Sequence, residues 1–187
     1  MNKALDRNTD TQLIANVKNG DAESFDILMS RYQKPVFRLA YRMLDNRDDA
    51  LDVTQETFFK AYRSLKKFRG EASFRLWLEK IATNICISRY RKKRLFTGLE
   101  GVFGLSNSPH WDAEIDADVH RKTLAKAMAT LTSRERAAFI LRIERELSVR
   151  QTAEIMKIKE GTVKALLFRA KQKIRKAIGN EFTDREI

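Results

Sequence analysis

GTVKALLFRAKQKIRKA, residues 161–177, carries six Lys or Arg, no acid, and one large aromatic, Phe168, in the middle of its charge. On a helix, at about 100° per residue, Val163, Leu167, Ala170, Ile174 and Ala177 fall in one narrow stripe, which the spacing assigns to the core. Phe168 falls about 140° away from that stripe. Ala165 and Gln172 lie beside it, and Lys164, Arg169, Arg175 and Lys176 flank them. An aromatic held out on a cationic face suits thymine methyls or sugar edges in a major groove, with the cations on phosphates. The residues alone leave a second reading open, a surface aromatic covered by a neighbouring helix or linker.

The preceding residues favour the first reading. In 149–156, Val149, Ala153 and Met156 share a face at i, i+4, i+7 spacing, and the short turn KIKEG follows before a longer helix over 162–178. A short helix, a tight turn and a basic second helix form the helix-turn-helix pattern. That pattern implies DNA binding without saying what the binding serves.

The whole chain fits a polyanionic partner. Its 187 residues hold 37 Lys+Arg against 25 Asp+Glu, a net charge of +12, while a hydrophobic content of 43% allows a packed core. Cys86 is the only cysteine, which excludes an internal disulfide and argues against a cysteine-based metal site. His110 and His120 have no ligand-like spacing. The N-terminus has no apolar leader core and no run of 18 apolar residues occurs, so neither membrane insertion nor export is expected and the chain reads as cytoplasmic. No nucleophile–base pair, paired carboxylates or phosphate-cradling glycine loop is visible, so it does not read as an enzyme, and no cofactor is expected.

Three of the seven glycines, Gly98, Gly101 and Gly104, sit in a stretch without helical period that also holds Pro109 and the acids Asp112, Glu114, Asp116 and Asp118. Residues 95–117 are read as a linker, whose Leu95, Phe96, Val102, Phe103, Leu105 and Trp111 suggest docking, on a partner or on the chain itself. Elsewhere the pattern is helical, over 10–18, 22–44 (with a bend near Pro35), 47–65, 73–93, 119–130, 133–145, 149–156 and 162–178. Thr132…Glu135 and Ser148…Gln151 read as capping boxes. The expected architecture is all-α: a domain over 1–94, the linker, and a helix-turn-helix domain over 118–187.

Helix 47–65 has a predicted core stripe of Ala50, Leu51, Thr54, Phe58, Ala61, Tyr62 and Leu65. Asp52, Gln55, Glu56 and Phe59 lie on its flank. An exposed aromatic among acids, on a basic protein, is a protein-docking face rather than a DNA face, unless Phe59 packs on an adjacent helix. Helix 73–93 has a core stripe of Phe74, Leu78, Ile81 and Ile85 and a second stripe of Trp77, Lys80, Asn84, Ile87 or Ser88, and Arg91. Six basic residues and no acid lie between Lys80 and Leu99. A ring, an amide and cations aligned on one helix suit unstacked bases and their backbone. The alternative makes Trp77 core and the basic run a solvated helix end.

Together these stretches resemble the bacterial sigma factors of the extracytoplasmic-function (group 4) type, over nearly the whole chain. DDALDVTQETFFKAY (48–62) resembles that family's polymerase-binding segment, FRGEASFRLWLEKIATNICISRYRKKR (68–94) its −10 melting and recognition segment, and LTSRERAAFILRIERELSVRQTAEIMKIKEGTVKALLFRAKQKI (131–174) its −35-binding domain. The resemblance implies that Asp52, Gln55, Glu56 and Phe59 contact core RNA polymerase, on the β′ clamp helices, with β as a further partner subunit. It implies a −10 DNA site from Phe68, Arg69, Ser73, Trp77, Lys80, Asn84, Arg89, Arg91 and Lys92. Asn84 and the 68–73 loop would hold an extruded base. It implies a −35 DNA site from Lys164, Ala165, Phe168, Arg169 and Gln172. It also implies an anti-sigma factor, a role in stress response, and a linker running toward the RNA exit path. Ala165 and Leu166 depart from the pattern, since a small polar residue and then Arg often stand there. The rival reading is a helix-turn-helix regulator that is not a polymerase subunit, because LTSRER…GTVK also resembles response-regulator output domains.

Overall fold

The computed structural model describes residues 9–97 and 127–178, which are helical throughout apart from turns. The order is α1 (Asp10–Lys18), α2 (Glu23–Leu44), α3 (Arg47–Ser64), a 3-10 turn (Leu65–Lys67), α4 (Phe74–Thr97), α5 (Ser133–Phe139), α6 (Val149–Met156) and α7 (Glu160–Ile178). Polar side chains start α1, α3, α5 and α6 by accepting from backbone N–H groups that no helical carbonyl can reach. Both predicted capping boxes form, on Thr132 and Ser148, and a third, Thr9 with Gln12, opens α1.

The element bounds differ from the periodicity at three places. The predicted helix 133–145 is α5 followed by a π-helical turn, Ile140–Glu144. α4 continues to Thr97, past the point where the linker was expected to begin, and α7 starts at Glu160 rather than Thr162. The remainder of the expected linker and most of helix 119–130 lie outside the described residues; 127–129 are helical.

α1 to α4 form the first unit, with α2 packed on α1, α3 and α4. The core stripe of α3 is rotated from the predicted one. Ala50, Val53, Thr57, Phe58 and Ala61 are buried, whereas Leu51 and Tyr62 are 42% and 49% exposed. α3 meets α2 and α4 together, so its buried arc centres between those neighbours and the predicted edge residues turn outward. In the second unit α5 and α6 carry α7, whose buried residues are Val163, Leu166, Ala170 and Ile174. Leu166 joins the stripe, Leu167 packs only partly on the core and Ala177 is exposed, because the contacts with α5 and α6 turn that face by about 15°.

The two units are in contact. α6 packs on α4, and α5 on α4 and α2. α4 is therefore buried on two sides, which explains why Glu79, Ala82, Thr83, Cys86 and Tyr90, outside any predicted stripe, are buried.

Candidate nucleic-acid and protein-docking interfaces

The helix-turn-helix is built by α6, a turn at Lys157–Lys159 and α7. Lys157 closes α6 in the left-handed conformation, φ 54°, which reverses the chain sharply enough to aim α7 outward. Phe168 is 62% exposed, on the side of α7 opposite its buried residues. Lys164, Ala165, Arg169 and Gln172 are exposed with it, so the structure assembles all five predicted residues on one solvent face. Leu166 is 5% exposed and faces the core. A polar reader could not reach DNA from that position here, so of the two departures from the family pattern only Ala165 lies on the reading face.

Glu135, legible in the sequence only as the partner in the Thr132 capping box, also holds this helix. It is buried beneath α7, accepts from Lys173 Nζ at 2.7 Å, and lies 4.0 Å from Arg169 Nε. Burial pushes its carboxyl up, but hydrogen bonds from Lys173 and Thr132 outweigh this and hold it below the ordinary value.

On α3, Phe59 is 61% exposed, with Arg63 Cζ 5.4 Å from its ring centroid. Leu51 and Tyr62 join it on the same side of the helix, so the apolar patch is larger than Phe59 alone. The sequence signal was present, since both lie at the edge of the stripe next to Gln55. Asp52 and Glu56 do not stand free. Arg89 of α4 donates to Asp52 Oδ2 at 3.2 Å and to Glu56 Oε2 at 3.1 Å. Lys60, 2.8 Å from Glu56, is the main cause holding that carboxyl below its ordinary range, with Arg89 adding to it. Arg89, expected beside DNA phosphates, is thus placed with the acidic face of α3, because its position on α4 turns it toward that helix.

The predicted −10 residues divide. Phe68 is buried in an aromatic cluster with Phe74 and Trp77, at centroid separations of 5.9 and 4.9 Å. Trp77 is half-buried, so it serves the core while presenting an edge. Gly70 takes φ +77°, a turn conformation that favours glycine, and Ser73 accepts from Leu76 N–H at 3.2 Å to start α4. Phe68, Arg69, Trp77 and Lys80 line a cleft of about 270 Å³. Arg91 and Lys92 are exposed on α4 further along. Asn84 is half-buried and donates to Lys80 O at 2.6 Å and to Ile155 O at 3.3 Å. Among the described residues no group of His, Cys, Asp and Glu could hold a metal, and no helix is long and apolar enough to cross a membrane.

A helix-turn-helix with an exposed cationic, aromatic face, joined to a helical unit with an acidic, aromatic patch, defines the class of helical DNA-binding proteins with a second exposed face of opposite charge. Residues 28–96 match Sigma-70 region 2 and residues 121–174 match Sigma-70 region 4. The chain is 32% identical to the ECF RNA polymerase sigma factor SigW of Bacillus subtilis, over 88% of this chain and 94% of that one. It is also 32% identical to the RNA polymerase sigma-H factor of Pseudomonas aeruginosa, over 93% and 96%. Two solved structures share the fold. CnrH in complex with the cytosolic domain of CnrY gives a TM-score of 0.66 at 21% identity, covering 92% of this chain and 99% of that one. RpoE from Bartonella quintana in complex with the anti-sigma factor NepR gives 0.69 at 23%, covering 86% and 100%. The chain belongs to the ECF RNA polymerase sigma factors, which are transcription initiation factors. The match to region 2 leaves the rival reading, a regulator outside the polymerase, unfavoured.

Proposed function

We propose that this sigma factor docks on core RNA polymerase through Asp52, Gln55, Glu56 and Phe59, extended by Leu51 and Tyr62. It anchors to −35 duplex through the face of α7 around Phe168 and captures −10 bases at Asn84 and the 68–73 loop. Binding energy for the separated strand favours the open promoter, and no covalent chemistry belongs to this chain. The proposed division is 1–94 for polymerase and −10 binding and 118–187 for −35 binding, in a protein acting in the cytoplasm. The observation that carries the reading is the pairing, on one chain, of an acidic–aromatic face on α3 with a cationic–aromatic face on α7. Charge makes the first unsuited to DNA and the second suited to it. Restraint by an anti-sigma factor is part of the proposal, supported by the anti-sigma factor NepR bound to RpoE in one structural neighbour.

The test is in vitro transcription with core enzyme over a promoter library, with Asn84→Ala alongside. If Asn84 assists melting, the variant loses more activity on duplex promoters than on promoters with a pre-opened bubble. Equal loss on both removes the melting role, and no polymerase-dependent transcription by the unaltered chain refutes the function.

A further inference from the structure

α1 contributes no residue to either proposed DNA face, yet it holds both ends of the 68–73 loop. At the first end, Phe68 closes the 3-10 turn with its N–H on Leu65 O at 3.0 Å, which leaves its own carbonyl without a helical N–H to accept from. Lys18 Nζ donates to that carbonyl at 2.7 Å across 50 residues of sequence. The donor is charged, so the bond is stronger than one between neutral groups. At the second end, the Phe74 ring meets Tyr32 edge-on, with centroids 5.5 Å apart. Tyr32 Oη donates to Asp10 Oδ2 in the first turn of α1, and Arg31 Nη1 lies 3.0 Å from Asp10 Oδ1.

α1 is itself fixed. Leu13 and Ile14 are buried in the core of the first unit. Just beyond Lys18, Asp21 accepts from the N–H and the hydroxyl of Ser24 at 3.3 and 2.6 Å. Asn16 donates to the same hydroxyl at 3.3 Å, which closes the corner between α1 and α2. The loop between the two held ends has little support of its own. Residues 69–73 are exposed, Gly70 takes φ +77°, and Arg69 and Glu71 lie 4.0 Å apart in solvent. An ion pair that open contributes little. The shape the loop presents to a base is therefore set by what anchors Phe68 and Phe74.

We propose that Lys18 is a positioning residue for −10 recognition. It braces the Phe68 end of the loop while Asp10 and Tyr32 brace the Phe74 end, and base discrimination depends on both. Lys18 acts through the loop backbone, without touching DNA. The proposal rests on the role given to the 68–73 loop above.

The measurement is equilibrium binding of holoenzyme, the full chain on core polymerase, to fluorescent single-stranded oligonucleotides. These carry either the −10 sequence selected from the promoter library or that sequence with one base replaced. Lys18→Met keeps the length of the side chain and loses the charged donor. It is expected to lower the ratio of the two affinities by about fivefold or more, the low end of what one base pair ordinarily contributes. Core polymerase binding and the slope of affinity against salt stay unchanged. Lys18→Arg retains a donor and restores the ratio. Tyr32→Phe keeps the ring on Phe74, drops the bond to Asp10, and lowers the ratio in the same direction. A salt slope lower by about one with the ratio intact makes Lys18 a phosphate contact and overturns the bracing. Gly70→Val strains the loop directly, at a φ that a β-branched residue scarcely adopts, and separates the two readings. Loss with Gly70→Val but not with Lys18→Met overturns the bracing and leaves the loop's role standing. A ratio unmoved by both overturns the loop's role. Loss with Lys18→Met alone also overturns the bracing, because the effect then bypasses the loop.

Discussion

Phe59→Ala separates docking from folding. Phe59 is 61% exposed, so of the ~150–250 Å² an aromatic side chain can bury, about 90–150 Å² remains for a partner to cover. At ~25 cal/mol per Å² that is about 2–4 kcal/mol, or roughly 30- to 800-fold in Kd for core polymerase. The lower end is expected, because Arg63 already lies over the ring. Stability should change little, since truncating an exposed side chain usually costs within about 0.5 kcal/mol. The assay is equilibrium binding of labelled chain to core polymerase, paired with thermal unfolding of the free chain. An unchanged Kd refutes the placement of Phe59 in the interface. A fall in Tm beyond about 2 °C refutes the premise that it is surface rather than core.

The aromatic and the cationic residues of the exposed face of α7 should respond differently. Phe168→Ala is expected to weaken −35 duplex binding by about 1–3 kcal/mol with polymerase binding intact, whereas Lys164→Ala should weaken all duplexes alike and lower the salt slope by about one; unaltered titrations make both residues structural. Glu135 lies below its ordinary value of 4.5 in the folded chain, so the unfolded chain binds more protons near that pH. Its stabilisation is present above pH 4.5 and lost as pH falls below it. Glu135→Gln should flatten that acid limb in urea midpoints measured against pH. An unchanged limb removes the Lys173 contact as its cause. Burial pushes the Cys86 thiol up to about 12, so maleimide labelling at neutral pH should await unfolding, and fast labelling of folded chain contradicts that burial.

Much was legible before the structure because it depended on residues close in sequence. The capping boxes at Thr132 and Ser148 are contacts three residues apart, and the exposure of Phe168 follows from the period of its own helix. The stripes of α3 and α7 were read less well. A wheel gives relative angles within one helix, while neighbours decide where the buried arc is centred. Leu51 and Tyr62 turned outward and Leu166 inward for that reason. Arg89 was assigned by its place in a basic run, yet its partners Asp52 and Glu56 come from another helix.

By itself, then, the sequence determined an all-α chain with a helix-turn-helix, a basic face on α7 and an acidic face on α3, since charge, period and caps are local properties. Only the tertiary structure decided that the two units meet. Asn84 with Ile155, Tyr90 with Leu131, Arg136 with Met43 and Arg145 with Glu79 join residues far apart in the chain. No local rule encodes such contacts, because their geometry exists only once both units have folded and α4 has been enclosed from both sides.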